Sequence, residues 1–148
     1  MNNFFLIFIL LSMESSLSIA SPQDCYELQG NYTAFPTGVI TSPATLAISY
    51  NAIKNEMQLQ FGVIGNSRYR IERYLADEKS HTGDGNWSSN FYIAKCTASS
   101  FSIKKDYSPQ YPRMNFTSVF GLKNGVLTQL DFNHDTNYSI VRGEYIRQ

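Results

Sequence analysis

The chain has 148 residues, 43% of them hydrophobic and 16% charged, and its 12 basic side chains balance its 12 acidic ones. Near-neutrality excludes an electrostatic grip on nucleic acid or on an acidic membrane surface. The length is enough for one domain that buries a core without metal ions to hold it.

Residues 4–11 form an uninterrupted apolar run, followed by a weaker stretch ending in Ser18-Ile19-Ala20. Small residues at Ser18 and Ala20 match the minus-three and minus-one positions of a signal-peptidase site, so residues 1–20 read as a secretory signal. The run falls short of the roughly 20 apolar residues a membrane anchor needs. Cleavage removes one charge, Glu14, leaving 12 basic against 11 acidic side chains in a mature domain of residues 21–148. No later stretch is apolar enough to span a bilayer, and the expected location is extracellular.

Residues 25–32, Cys-Tyr-Glu-Leu-Gln-Gly-Asn-Tyr, are expected to open the first strand, with Leu28, Gly30 and Tyr32 on one face. Residues 46–50 form the next strand and 51–55 a hairpin turn. Met57, Leu59, Phe61 and Val63 then alternate with Glu56, Gln58, Gln60 and Gly62, the period of a strand with one wet face. A Gly65-Asn66-Ser67 turn leads into a strand over 69–75, and residues 77–86 make the longest polar loop. Strands follow at 91–96 and 101–103, while Pro109 and Pro112 confine 107–113 to loop or irregular edge. The segments 116–122 and 126–132 flank Lys123-Asn124-Gly125, where Asn-Gly tolerates the positive φ of a type I′ hairpin turn. Residues 138–146 form the last strand; a short helix is the alternative for 43–50 or near Ser108. About eight to nine strands at this spacing predict an all-β fold, a single antiparallel up-and-down barrel, with a β-sandwich as the alternative.

In an oxidising compartment the two cysteines, Cys25 and Cys96, are expected to pair. Secretion also gives weight to four Asn-x-Ser/Thr triplets, at Asn31, Asn86, Asn115 and Asn137, as glycan acceptors facing solvent. Each has an aromatic residue in its middle position, which on a strand points to the opposite face.

The strand rhythm, the Gly30-Asn31-Tyr32 step and the arginines of the last strand resemble the calycin superfamily, which includes lipocalins and avidins. Lipocalins open with Gly-x-Trp, and an arginine from the last strand packs on that Trp; here the matching positions are Gly30, Tyr32 and either Arg142 or Arg147. Avidin-like chains open with Cys-x-Leu-x-Gly-x-Trp and tie that Cys to one in mid-chain, a pattern similar to Cys25, Leu28, Gly30, Tyr32 and Cys96 with one residue inserted. Trp87 is the sole Trp, so an avidin-type cage of several Trp residues cannot be assembled. The resemblance implies the barrel rather than a particular activity.

The chemistry available is limited. His81, near Asp84, and His134, with Asp135 and Asp131, are the only imidazoles, and neither shows metal-ligand spacing. No Gly-x-Ser-x-Gly is present, so no nucleophile, metal site or cofactor is expected and the chain does not read as an enzyme. Aromatics are the better lead: after cleavage seven Phe, ten Tyr and one Trp remain, and tyrosine suits a cavity wall because its ring can be buried while its hydroxyl finds a partner. Along 69–75, Tyr69, Ile71, Arg73 and Leu75 share a face that is apolar except for Arg73. Arg73 is therefore the candidate polar anchor of a cavity also contacted by Tyr69, Phe61, Trp87 and Tyr145, the last turned inward by a bulge at Gly143. These features predict an extracellular carrier of a small, mostly apolar ligand, an acidic one included. The alternative is a secreted module that binds a protein partner through its outer surface.

Overall fold

The computed structural model describes residues 22–34, 44–83, 91–97, 99–107 and 115–148. The expected signal segment, Asn86, Trp87, Ser108, Pro109 and Pro112 lie outside them. Ten strands form one antiparallel sheet: β1 Gly30–Ala34, β2 Ala44–Asn51, β3 Glu56–Val63, β4 Tyr69–Leu75, β5 Ser80–Thr82, β6 Phe91–Thr97, β7 Ser100–Asp106, β8 Phe116–Lys123, β9 Val126–Asn133 and β10 Tyr138–Arg147. Consecutive strands pair throughout except at β4 and β5, and β1 also pairs with β10. The sheet therefore curls into an up-and-down barrel, hydrogen-bonded all round but for the β4–β5 seam.

Side chains fill that seam. The Tyr74 and Tyr92 rings meet edge to face at 5.1 Å, Leu75 N–H donates to the Tyr92 hydroxyl at 3.2 Å, and Glu78 N–H donates to the Ala94 carbonyl at 3.0 Å. The expected eight or nine strands become ten because Ser80-His81-Thr82, within the polar stretch 77–86, is itself a strand. Three polar residues are too few for an alternating pattern to show. The helical alternative for 43–50 does not hold where it is described, since Ala44–Asn51 is strand throughout.

The start of the chain also differs from expectation. Residues Pro22–Leu28 form a 3₁₀ helix, and the first strand begins only at Gly30. This helix packs beneath β2, β6 and β7 and closes one end of the barrel. The disulfide forms between Cys25 and Cys96, so it ties the helix, not a strand, to β6, with Cα atoms 5.5 Å apart. The Asn-Gly hairpin is as expected: Asn124 and Gly125 both have positive φ, 52° and 79°, which a type I′ turn requires.

Inward side chains follow a gradient along the strands. In β3, β7, β8 and β9 the positions nearest the 3₁₀ helix are apolar and fully buried: Met57 and Leu59, Phe101 and Ile103, Phe120, Leu127. Further along the same faces come Lys105, Ser118, Gln129 and Asp131, all half-buried. The barrel thus has a packed floor and a polar upper interior.

Candidate functional site

That upper interior encloses a cavity of about 260 Å³. Its apolar wall is Phe61, Ile103, Phe116 and Phe120, and its polar wall is Arg70, Glu72, Lys105, Tyr107, Gln129, Asp131 and Arg142, with Ser118 between. Strand alternation and register place these groups. In β3 and β4, Phe61 pairs with Arg70, Leu59 with Glu72 and Met57 with Tyr74, and directly opposed residues share a face. Arg70, Glu72 and Tyr74 therefore point the same way as the core residues of β3.

This reverses the face expected for β4. Arg73 lies outside, exposed, with its Nε donating to Gln58 Oε1 at 3.1 Å across the outer surface. Tyr69 is also outside and 61% exposed. Neither reaches the cavity, so neither is an anchor for a ligand within it. The face of β4 with more apolar residues points outward, because the interior at this level is polar and admits the charged face instead. Of the other candidates, Phe61 lines the cavity, and Trp87 lies outside the described residues. Tyr145 is buried with its hydroxyl donating to Gln129 Oε1 at 3.4 Å. The expected bulge is present, with the β9–β10 register shifting between Val141 and Gly143. It brings Arg142 to the cavity wall and Tyr145 to the inside.

Two ionic clusters organise the polar wall. Glu72 accepts from Lys105 Nζ at 3.2 Å and the Tyr74 hydroxyl at 2.5 Å and forms an ion pair with Arg70, whose Nε lies 2.9 Å away. Burial alone would raise the Glu72 pKa, but Lys105, the Tyr74 hydroxyl and Arg70 together outweigh it and hold the carboxyl below its usual range. The Tyr74 hydroxyl is pushed well above the usual tyrosine range by burial and by the neighbouring Glu72 charge. In the second cluster Asp131 accepts from Arg142 Nε at 2.8 Å and Gln129 Nε2 at 3.5 Å. Tyr107 feels both carboxylates: burial first, then Glu72 and Asp131, raise its pKa, while Arg70 opposes them. Arg70 also lies over the Phe61 ring, 4.8 Å from its centroid.

Of the site residues expected from the sequence, only Phe61 is among those lining this cavity, and Arg142 figures there only as one of two matches to the lipocalin arginine. One signal for the β4 groups was legible: Arg70 and Glu72, two apart on a strand, are opposite charges on one face. The Asp131–Arg142 pair was not, because it depends on the bulge. The histidines stay out of the cavity. His81 contacts Asp77 at 2.7 Å and stacks on Tyr92, and His134 contacts Thr117 at 2.7 Å. Among the described residues no group of three or more His, Cys, Asp or Glu could hold a metal ion.

The strands and the cavity together make an up-and-down antiparallel β-barrel, the fold that the resemblance to calycins implied. The arginine partner is also settled: the Arg147 guanidinium lies over the Tyr32 ring, 5.4 Å from its centroid, in the position of the lipocalin arginine, whereas Arg142 faces the cavity. No family model and no curated protein sequence matches the chain. Among solved structures it is similar to the fatty acid transporter REP1-NXSQ, with a TM-score of 0.60 and 9% identity over 83% of this chain and 97% of that one. It is likewise similar to a mutant of the fluorescent protein UnaG, with a TM-score of 0.58 and 12% identity over 82% of this chain and 96% of the other. At such identities the likeness is one of fold.

Proposed function

We propose that this protein is an extracellular carrier that holds a small amphiphilic ligand in the barrel cavity by equilibrium binding, with no bond made or broken. The observation that carries this reading is the cavity, apolar below and charged above. Carrier sites are concave, with an apolar lining and a few placed polar groups. A fatty acid transporter of the same fold adds support by analogy. The secreted half of the proposal rests on the signal-like residues 1–20 and on a disulfide of the kind that persists in oxidising compartments. On this reading Asn31 and Asn137, both exposed, carry glycan. Asn115 is a poorer acceptor, being half-buried with its side-chain amide donating to Asp135 at 3.3 Å.

Native mass spectrometry of the protein from its own source tests the carrier role. A co-purified small molecule lost on denaturation is expected, and a chain that repeatedly arrives empty and binds no amphiphile refutes the reading. The second reading, a module binding a protein through its outer surface, is favoured by one observation: Leu130 with Val141 and Val126 with Ile146 form outward-facing apolar pairs across β9 and β10. Leu130→Ser with Val141→Ser would abolish partner capture on that reading and leave ligand binding intact on the first.

A further inference from the structure

Within the carrier reading, on which this inference rests, we propose that the cavity is a receptor for a compact organic anion held head outward. The acid group lies at the mouth against Arg70 and Arg142, and the apolar end rests on Phe61, Ile103 and Phe120. The exposure of the lining sets the direction. Ile103 and Phe120 are 1% exposed, the side chains of Asp131, Lys105 and Glu72 are 14%, 16% and 21% exposed, and those of Arg142 and Arg70 are 47% and 70% exposed. The guanidinium groups are therefore the more exposed members of the wall, and Ile103 and Phe120 the innermost.

The charge count sets the sign. Among the described residues three cations and two carboxylates line the cavity, and both carboxylates already have partners: Glu72 two hydrogen-bond donors and the Arg70 ion pair, Asp131 two donors. Arg142 spends only its Nε on Asp131 and Arg70 approaches Glu72 through its Nε as an ion pair, and neither Nη pair hydrogen-bonds to another described residue. Two guanidinium groups, Arg142 held by its Nε hydrogen bond and Arg70 by its ion pair, keep Nη donors to spare for a carboxylate, sulfonate or phosphate. An amine would meet an excess of positive charge. The volume sets the size. About 260 Å³ lies below the usual range for ligand pockets, and the floor beneath Ile103 and Phe120 is packed solid with Leu59, Phe101 and Leu127. A single ring or short chain fits, whereas a long acyl tail has nowhere to go.

Calorimetric titration of the disulfide-intact protein with phenylbutyrate, phenylbutanol, phenylbutylamine and palmitate tests this. Phenylbutyrate is expected to bind about tenfold or more tighter than the alcohol, the amine to bind weakest, and palmitate to gain nothing over phenylbutyrate. Arg70→Gln and Arg142→Gln each lower phenylbutyrate affinity about tenfold while leaving the alcohol unchanged, and Arg142→Lys retains the preference for acid. Ring-current shifts at the Ile103 methyl groups on phenylbutyrate binding report the ring on the floor. Equal binding of acid and alcohol, a preference for the amine, a large gain with palmitate, or an unshifted Ile103 overturns the proposal and leaves the carrier reading standing. Failure of all four probes in a protein that co-purifies with a small molecule also refutes only the anion. The same failure in a protein that co-purifies with nothing refutes both.

Discussion

Arg147, the last residue of β10, binds Tyr32 of β1 twice over: its guanidinium lies above the ring and Nη2 donates to the hydroxyl at 2.9 Å. The same nitrogen donates to the carbonyls of Gln29, at 2.9 Å, and Glu27, while the Tyr32 hydroxyl donates to the Leu28 carbonyl at 2.7 Å. One side chain thus joins the end of the chain to the 3₁₀ helix and the first strand. Gly30 leaves room for it, since a Cβ there would stand 3.1 Å from Arg147 Nε. Arg147→Met removes charged hydrogen bonds from backbone carbonyls and should lower unfolding free energy by about 2 kcal/mol. Urea titration measures it; Arg147→Lys should recover only part, because an ammonium cannot reproduce the fork. A loss below measurement error would show that the contact holds nothing.

Arg73 provides the contrast. It is exposed on the outer face and bonded only to Gln58 among the described residues, so Arg73→Met should change stability by no more than about 0.5 kcal/mol and leave ligand affinity unaltered. Parallel melting and titration curves check both. A loss of affinity would mean that β4 presents its other face to the ligand.

Stability should fall at both ends of the pH scale. The Glu72 pKa is depressed in the folded chain, so the stability it contributes is complete above its ordinary value of 4.5 and is lost as pH falls from there toward the folded value. Glu72→Gln should flatten the acid limb of denaturant midpoint against pH. Tyr74, Tyr107, Tyr145 and Tyr50 are all raised, chiefly by burial, above the ordinary 10.0. Their contribution is complete below that value and is lost as pH rises through it. Tyrosinate absorbance should therefore show a late fraction that ionises together with unfolding. Full ionisation of all ten tyrosines while the fold persists would contradict these burial assignments.

The disulfide should act on the floor and not on the cavity. It closes a sequence separation of 71 residues, for which chain entropy gives about 4 kcal/mol. Cys25→Ala with Cys96→Ala should reduce stability by that order and free the 3₁₀ helix to exchange its amide hydrogens, while ligand affinity below the melting point stays the same. Loss of affinity in a folded double variant would show that the floor shapes the cavity.

The sequence by itself determined the strand rhythm, the type I′ hairpin at Asn124-Gly125, the cysteine pair and the bulge at Gly143, because period-two alternation, turn chemistry and bond valence are local or countable properties. It also narrowed the arginine packed on Tyr32 to two positions. Only the tertiary structure decided between them, since the choice depends on how β10 aligns with β1 after its bulge. It alone decided which face of β4 is inside, because alternation fixes that two faces differ but not which one meets the cavity. The usual inference that apolar means inside fails at Arg70 and Glu72, where the enclosed volume is itself lined with charge. Lys105 of β7 meets Glu72 of β4 across 33 residues of chain, and nothing in the sequence around either shows that they meet. That meeting follows from the closure of the barrel, which brings β4 and β7 to one interior, whereas Arg142 reaches Asp131 within the β9–β10 hairpin only because of the bulge.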